Sequence, residues 1–132
     1  MRLLRQVGPT CMLYSAAMVL EIDPRILAKI LGHDGTEKVN GYHVGIHFQE
    51  IQQYALSIGK HFYTVEAAPY QAGPDVPAPV TDFYQKIYGR GIMVNDSHAV
   101  AYEYDSVYDP QGRIYPVNEF QVMEAYVLCT NH

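Results

Sequence analysis

The hydrophobic pattern of this chain changes period once, and that change limits what it can fold into. Leu13, Ala16, Ala17 and Leu20 recur at helical spacing, and so do Phe48, Ile51, Ala55 and Ile58. From Gly91 onward the pattern is that of strands. Ile92–Val94, His98–Tyr104, Val107–Tyr108 and Val122–Leu128 are rich in Val, Ile and Tyr. Helices first and strands last predicts an α+β domain in which N-terminal helices pack on a C-terminal, mainly antiparallel β-sheet. At 132 residues the chain has room for one such domain, residues 1–132, and too little for a second core.

The punctuation between these stretches is legible. Gly8-Pro9 breaks the chain before a helix that starts at Thr10 or Cys11, with Thr10 placed to cap it. Asp23 and Pro24 open a second helix carrying Ile26, Leu27, Ile30 and Leu31, and Gly32 closes it. A polar loop with scattered glycines follows, from His33 to about Gly45. The third helix stops at Gly59, and His61–Val65 predicts a strand. Prolines 69, 74, 77 and 79 exclude a regular element through that stretch, and a short helical turn is expected around Asp82–Tyr88.

Charge and composition exclude several functions. Nine basic against 14 acidic residues give a net charge of −5, the opposite of what phosphate-driven nucleic-acid binding needs. No apolar run approaches the roughly 20 residues of a membrane span, and Met1–Arg5 lacks the apolar centre of a signal peptide. Two cysteines, Cys11 and Cys129, are too few for a disulfide scaffold and suit a reducing compartment, so a cytoplasmic location is expected. Cys129, in an apolar strand, is expected to be a core thiol.

Cys11 is the candidate for chemistry. At the N-terminus of a helix, unpaired amides and the helix dipole favour an anion, and a thiolate placed there gains nucleophilicity at neutral pH. A lone cysteine is more simply a small buried residue, so partners decide the matter. His98 opens one predicted strand and Asp109 ends the next. If the loop around Tyr104-Asp105 has even length, Glu103 pairs with Ser106 and Asp109 falls opposite Val100, diagonal to His98 on the same face. An odd-length loop puts the two on opposite faces. Asp109-Pro110-Gln111-Gly112 is also a good turn sequence in its own right. Together Cys11, His98 and Asp109 are the nucleophile, base and orienting group of thiol acyl transfer. Gln6, five positions before Cys11 across the Gly8-Pro9 turn, is placed to fold back and join the Cys11 N–H as an oxyanion donor.

The segments Gln6-Val7-Gly8-Pro9-Thr10-Cys11-Met12, Ser97-His98-Ala99-Val100-Ala101-Tyr102 and Val107-Tyr108-Asp109-Pro110 resemble the Gln, Cys, His and Asp motifs of papain-like cysteine peptidases. The branch they are most similar to is that of small bacterial and phage proteins akin to the bacteriocin-processing peptidases, which cleave double-glycine leaders. The resemblance spans residues 6 to 110 and implies a papain-like fold and a thiol hydrolase without a cofactor. Cys11 would be the nucleophile, His98 the general base and acid, Asp109 the orienting group and Gln6 an oxyanion donor. A peptide or protein substrate is implied, and peptide, isopeptide and side-chain amide cleavage or acyl transfer all share the path. The competing expectation is a catalytically silent binding or inhibitory module.

Other signals are weaker. His43 and His47 stand four apart, but Gly45 lies between them and no Glu follows His43, so loop and helix-start histidines are expected. Gly89-Arg90-Gly91 precedes a strand and lacks a third glycine, so it is no nucleotide loop. Asn95-Asp96-Ser97 matches a glycosylation acceptor without consequence in the cytoplasm. Twelve tyrosines and no tryptophan predict amphipathic packing in the sheet, or a sticky interface.

Overall fold

The computed structural model describes residues 1–70 and 81–130. Residues 74, 77 and 79 of the proline-rich stretch, and with them the question of a lid there, lie outside these. Pro69 falls in a short 3-10 turn, Ala68–Tyr70.

Among the described residues, four α-helices and a six-stranded antiparallel sheet make the α+β architecture. Helix α1 spans Cys11–Leu20, α2 Pro24–Leu31, α3 Phe48–Ser57 and α4 Thr81–Lys86. The main sheet contains β3 (Lys60–Glu66), β4 (Arg90–Val94), β5 (Ala99–Glu103), β6 (Ser106–Asp109), β7 (Arg113–Pro116) and β8 (Glu124–Thr130). Its spatial order is β3-β8-β4-β5-β6-β7, so β4 to β7 form a meander and β8 returns to lie between β3 and β4. A separate two-stranded hairpin, β1 (Lys38–Val39) with β2 (Tyr42–His43), occupies the loop before α3. No helix among the described residues is long and apolar enough to cross a membrane.

The helix boundaries follow their local chemistry. Asp23 accepts the Arg25 N–H at 2.8 Å, Pro24 fills the first helical position, and Gly32 ends α2 at φ 88°. The α3 N-terminus carries a reciprocal cap, in which the His47 N–H donates to Glu50 Oε2 at 2.8 Å. Ile58 stops α3 one residue earlier than its spacing predicts and is exposed. Thr10 occupies the N-cap position of α1, yet its hydroxyl donates to the Val7 carbonyl at 2.8 Å, closing a turn instead of capping the helix. The first amides of α1 are therefore left without a side-chain cap.

The alternation of strand residues divides the core in two. Ile92, Ala99 and Ala101 join Leu13, Ala16, Ala17, Val19 and Leu20 of α1, with Leu27, Ile51 and Ala55, on one face. Met93, Val100, Tyr102, Val107, Ala125 and Val127 join Phe83 and Ile87 on the other. Seven of the ten α1 residues are buried, because this helix is apolar nearly all round and lies under α2 and against β4 and β5. Each fully buried Leu, Val or Met contributes about 1.5–3 kcal/mol, so α1 is the principal anchor of the helical layer. The outer edge of β3 is closed by Gln52 of α3, whose amide donates to the Phe62 carbonyl and accepts the Phe62 N–H, both at 2.8 Å.

Gly91 shows how tightly the second core is built. It pairs with Tyr102, whose buried hydroxyl reaches the Ile87 carbonyl at 2.6 Å. A Cβ on Gly91 would stand 2.2 Å from the Tyr126 carbonyl oxygen and 2.8 Å from the Tyr102 hydroxyl. Gly91→Ala is therefore expected to cost several kcal/mol of stability by forcing β4 from β8. Urea unfolding reads this directly, and an unchanged midpoint would contradict the packing described.

Candidate active site

Cys11, His98 and Asp109 converge because of three features of the chain. Cys11 is the first residue of α1 and lines a cleft of about 390 Å³. His98 immediately precedes β5, in the turn that follows β4. Asp109 ends β6, which returns from β5 through the two-residue turn Tyr104-Asp105 with Glu103 opposite Ser106. That loop is even, so Asp109 falls on the His98 side of the hairpin. Tyr104 takes the left-handed conformation, φ 55°, that the tight turn requires.

Asp109 is buried and fully engaged. Its Oδ1 accepts from His98 Nε2 at 2.8 Å and from the Gln111 N–H at 2.9 Å, and its Oδ2 accepts from the Tyr115 hydroxyl at 2.8 Å. Burial pushes its carboxyl up, but the Gln111 amide, His98 and Tyr115 together hold it below the usual carboxylate range. With Nε2 on Asp109, Nδ1 is the ring nitrogen left to face the sulfur.

The turn that carries His98 is built by Asn95. Asn95 Oδ1 accepts the backbone N–H groups of Ser97 and His98, each at 3.0 Å, and the Asn95 N–H donates to the His98 carbonyl at 3.0 Å. Its amide nitrogen is tied to the Gln121 carbonyl at 3.0 Å. On the other side, Ser15 of α1 donates to the Ala99 carbonyl at 3.2 Å inside the core, which links α1 to the residue after His98. Ser15 did not stand out in the sequence, and Asn95 did so only within a glycosylation-type triplet and not as a site residue. The signal for Asn95 was its place at a strand end before Asp96-Ser97, a turn composition.

The electrostatics favour an ion pair. Burial pushes the Cys11 thiol up, yet the His98 ring and the Ala99 and Met12 backbone amides outweigh it and bring the thiol below its ordinary value. His98 is raised to about 8, chiefly by Cys11 and then, against the opposing effect of burial, by Asp109. Each group stabilises the charged form of the other, so the two titrate as a unit.

Gln6 is not brought into this cleft. Gly8 turns the chain at φ 69°, and the Gln6 amide nitrogen donates to the Gly8 carbonyl at 2.8 Å. The Gln6 N–H bonds the Pro110 carbonyl at 2.6 Å, which places the residue behind the Asp109 turn, and it does not line the cleft. The Cys11 N–H, at the start of α1 where no side chain caps the helix, is the candidate oxyanion donor that remains.

The far wall of the cleft comes from the loop before α3 with the first residue of that helix, from the end of β4 and from β8. Phe48 and Tyr126 stack face to face with centroids 3.7 Å apart, and Gly45, Ile46, His47 and Val94 complete the wall. Gly35 holds that wall close: a Cβ there would meet the Gly45 carbonyl carbon and the Ile46 nitrogen at 2.9 Å. His43 ends β2 and bonds the Thr36 carbonyl, whereas His47 caps α3, so the two do not share a helical face. Cys129 is half-buried on β8, not a core residue as expected, and both cysteines are free thiols.

The causes of these shifts fix the sign of a pH experiment. Alkylation of Cys11 by iodoacetamide is expected to proceed at lower pH than that of a free thiol. In His98→Ala the profile should move to higher pH than in wild type, because the ring no longer joins the backbone amides in opposing burial. A His98→Ala profile identical to wild type would remove the ion pair.

Comparison of the chain with protein-family models, curated proteins and solved structures finds no match.

Proposed function

We propose that this protein is a papain-like thiol hydrolase that cleaves a peptide or amide bond in a protein or peptide substrate. The observation that carries the reading is the buried Asp109 carboxylate on His98 Nε2, which turns the other face of the ring to a Cys11 thiol at a helix N-terminus. The Cys11 thiolate attacks the carbonyl carbon, a C–S bond forms, and the negative charge moves to the carbonyl oxygen beside the Cys11 N–H. His98 gives its proton to the leaving nitrogen as the C–N bond breaks, leaving a thioester and neutral imidazole. His98 then takes a proton from water, hydroxide adds to the thioester, and the thiolate leaves with release of the carboxylic acid. A cleft of about 390 Å³ fits a restricted substrate better than general proteolysis.

One observation favours a second reading, a binding or inhibitory module without turnover: Gln6 does not line the cleft and its amide nitrogen bonds the Gly8 carbonyl instead, so the Cys11 N–H is left as the oxyanion donor. The loss of one such donor costs about 10²–10³ in rate, enough to make turnover slow while leaving the nucleophile intact.

Exposure to p-nitrophenyl acetate at neutral pH tests the proposal and separates the two. The hydrolase is expected to release more than one equivalent of p-nitrophenol, with a transient acetyl group on Cys11 in the intact mass. His98→Ala should slow acylation by roughly 10²-fold or more. A stable acetyl group with no second turnover would favour the silent module, and absence of acylation at Cys11 would refute both the nucleophile and the proposed enzyme.

A further inference from the structure

We infer that Tyr115 is a positioning residue of the site, the group that fixes the plane of the Asp109 carboxylate and so holds His98 in its charged form beside Cys11. The inference rests on the thiol-hydrolase reading for its consequence, but its geometry stands in the hydrogen bonds themselves. Asp109 Oδ1 has two donors, the His98 ring and the Gln111 N–H, whereas Tyr115 is the one donor to Oδ2 among the described residues. A carboxylate has a single free torsion at its end, which turns both oxygens together, so a donor on Oδ2 helps hold the Oδ1 that bonds His98.

The tyrosine is placed to do this. It stands on β7 opposite Val107, two residues along the hairpin from the Asp109–Arg113 pair, so its ring spans the neighbouring strand to reach the carboxylate. The Arg113 guanidinium lies 4.9 Å from the centre of the ring and limits its motion from the solvent side. The charged and titratable groups facing this cluster are His98 from the turn before β5, Cys11 from α1, Asp109 from β6 and Arg113 from β7 itself. The Tyr115 hydroxyl is pushed well above its ordinary range by burial and by Asp109, so it serves as a donor throughout the working pH range.

Without the hydroxyl, Oδ2 is a buried oxygen with no donor. The carboxylate either rotates away from His98 or becomes easier to protonate, and both weaken its support for the imidazolium. The neutral thiol–imidazole form then gains over the thiolate–imidazolium form. The predicted signature is confined in pH. In Tyr115→Phe the thiolate fraction of Cys11 falls about tenfold near neutrality, the size of a one-unit shift in the pair. At alkaline pH, where the thiolate forms without help from the imidazolium, variant and wild type converge.

The test measures the iodoacetamide alkylation rate of Cys11 against pH, with the modified cysteine identified by mass spectrometry. Wild type, Tyr115→Phe, His98→Ala and Tyr63→Phe are compared. Tyr63 donates its hydroxyl to the Lys86 carbonyl far from the site, and its variant should match wild type. A second measurement, the titration of the His98 ring by NMR, should show its midpoint moving down from about 8 in Tyr115→Phe. If His98→Ala shifts the alkylation profile while Tyr115→Phe alters neither profile nor midpoint, the role of Tyr115 is overturned and the nucleophile–base pair stands. If His98→Ala also leaves the profile unchanged, the pair itself is refuted and Tyr115 with it. A uniform change at every pH in Tyr115→Phe marks altered access only and likewise overturns the inference.

Discussion

Ala16 and Ala17 let α1 lie close against Ala99 and Ala101 of β5, and Ser15 locks the two together through the Ala99 carbonyl. The chemistry of the site depends on this seating. It brings the free N-terminus of α1 to the end of β5, where His98 stands. A larger residue at Ala16 or Ala17 would lift the helix and separate the sulfur from the ring before it cost much secondary structure. The contact also explains why α1 is buried almost all round. A helix that must place one terminal side chain accurately is held better between layers than on a surface.

A second constraint acts at the far end of the same network. Asp109 is buried beside a partly exposed histidine, and its charge is tolerated because three donors surround it. The site therefore runs from the helix dipole of α1 through sulfur, imidazole and carboxylate to a tyrosine on the last strand of the meander.

Much of this was legible in the residues. Asp23, Pro24, Gly32 and Gly59 marked helix ends because capping and left-handed backbone are local properties. The counting that put Asp109 on the same face as His98 depended on a two-residue loop, and the Glu103–Ser106 pairing bears that loop out. The rest was set by distant contacts. β7 carries exposed Ile114 and a terminal proline, so no hydrophobic alternation announced it, and the hairpin of β1 and β2 is exposed on both strands. The approach of Cys11 to His98 depends on how α1 docks, which no local pattern encodes. Gln6 was expected to turn back to the sulfur, whereas its amide bonds the Gly8 carbonyl within the local turn, a contact that the five-residue spacing does not reveal. Tyr115 was counted among packing tyrosines because a hydroxyl's partner is invisible until the strands are in register.

The position of β8 has a consequence in time. β3 and β4 are adjacent in chain order among the main strands yet never touch in the sheet, since β8 lies between them and pairs with both. A growing chain therefore carries α1 and the whole β4–β7 meander, with Cys11, His98 and Asp109 already synthesised, before the strand that joins β3 to them in the sheet. Tyr126, which forms the cleft wall with Phe48, arrives on that same strand. Closing so long a loop is entropically slow. A nascent chain would hold Cys11 and His98 beside an unfinished cleft, whose wall is complete only when β8 slots into place.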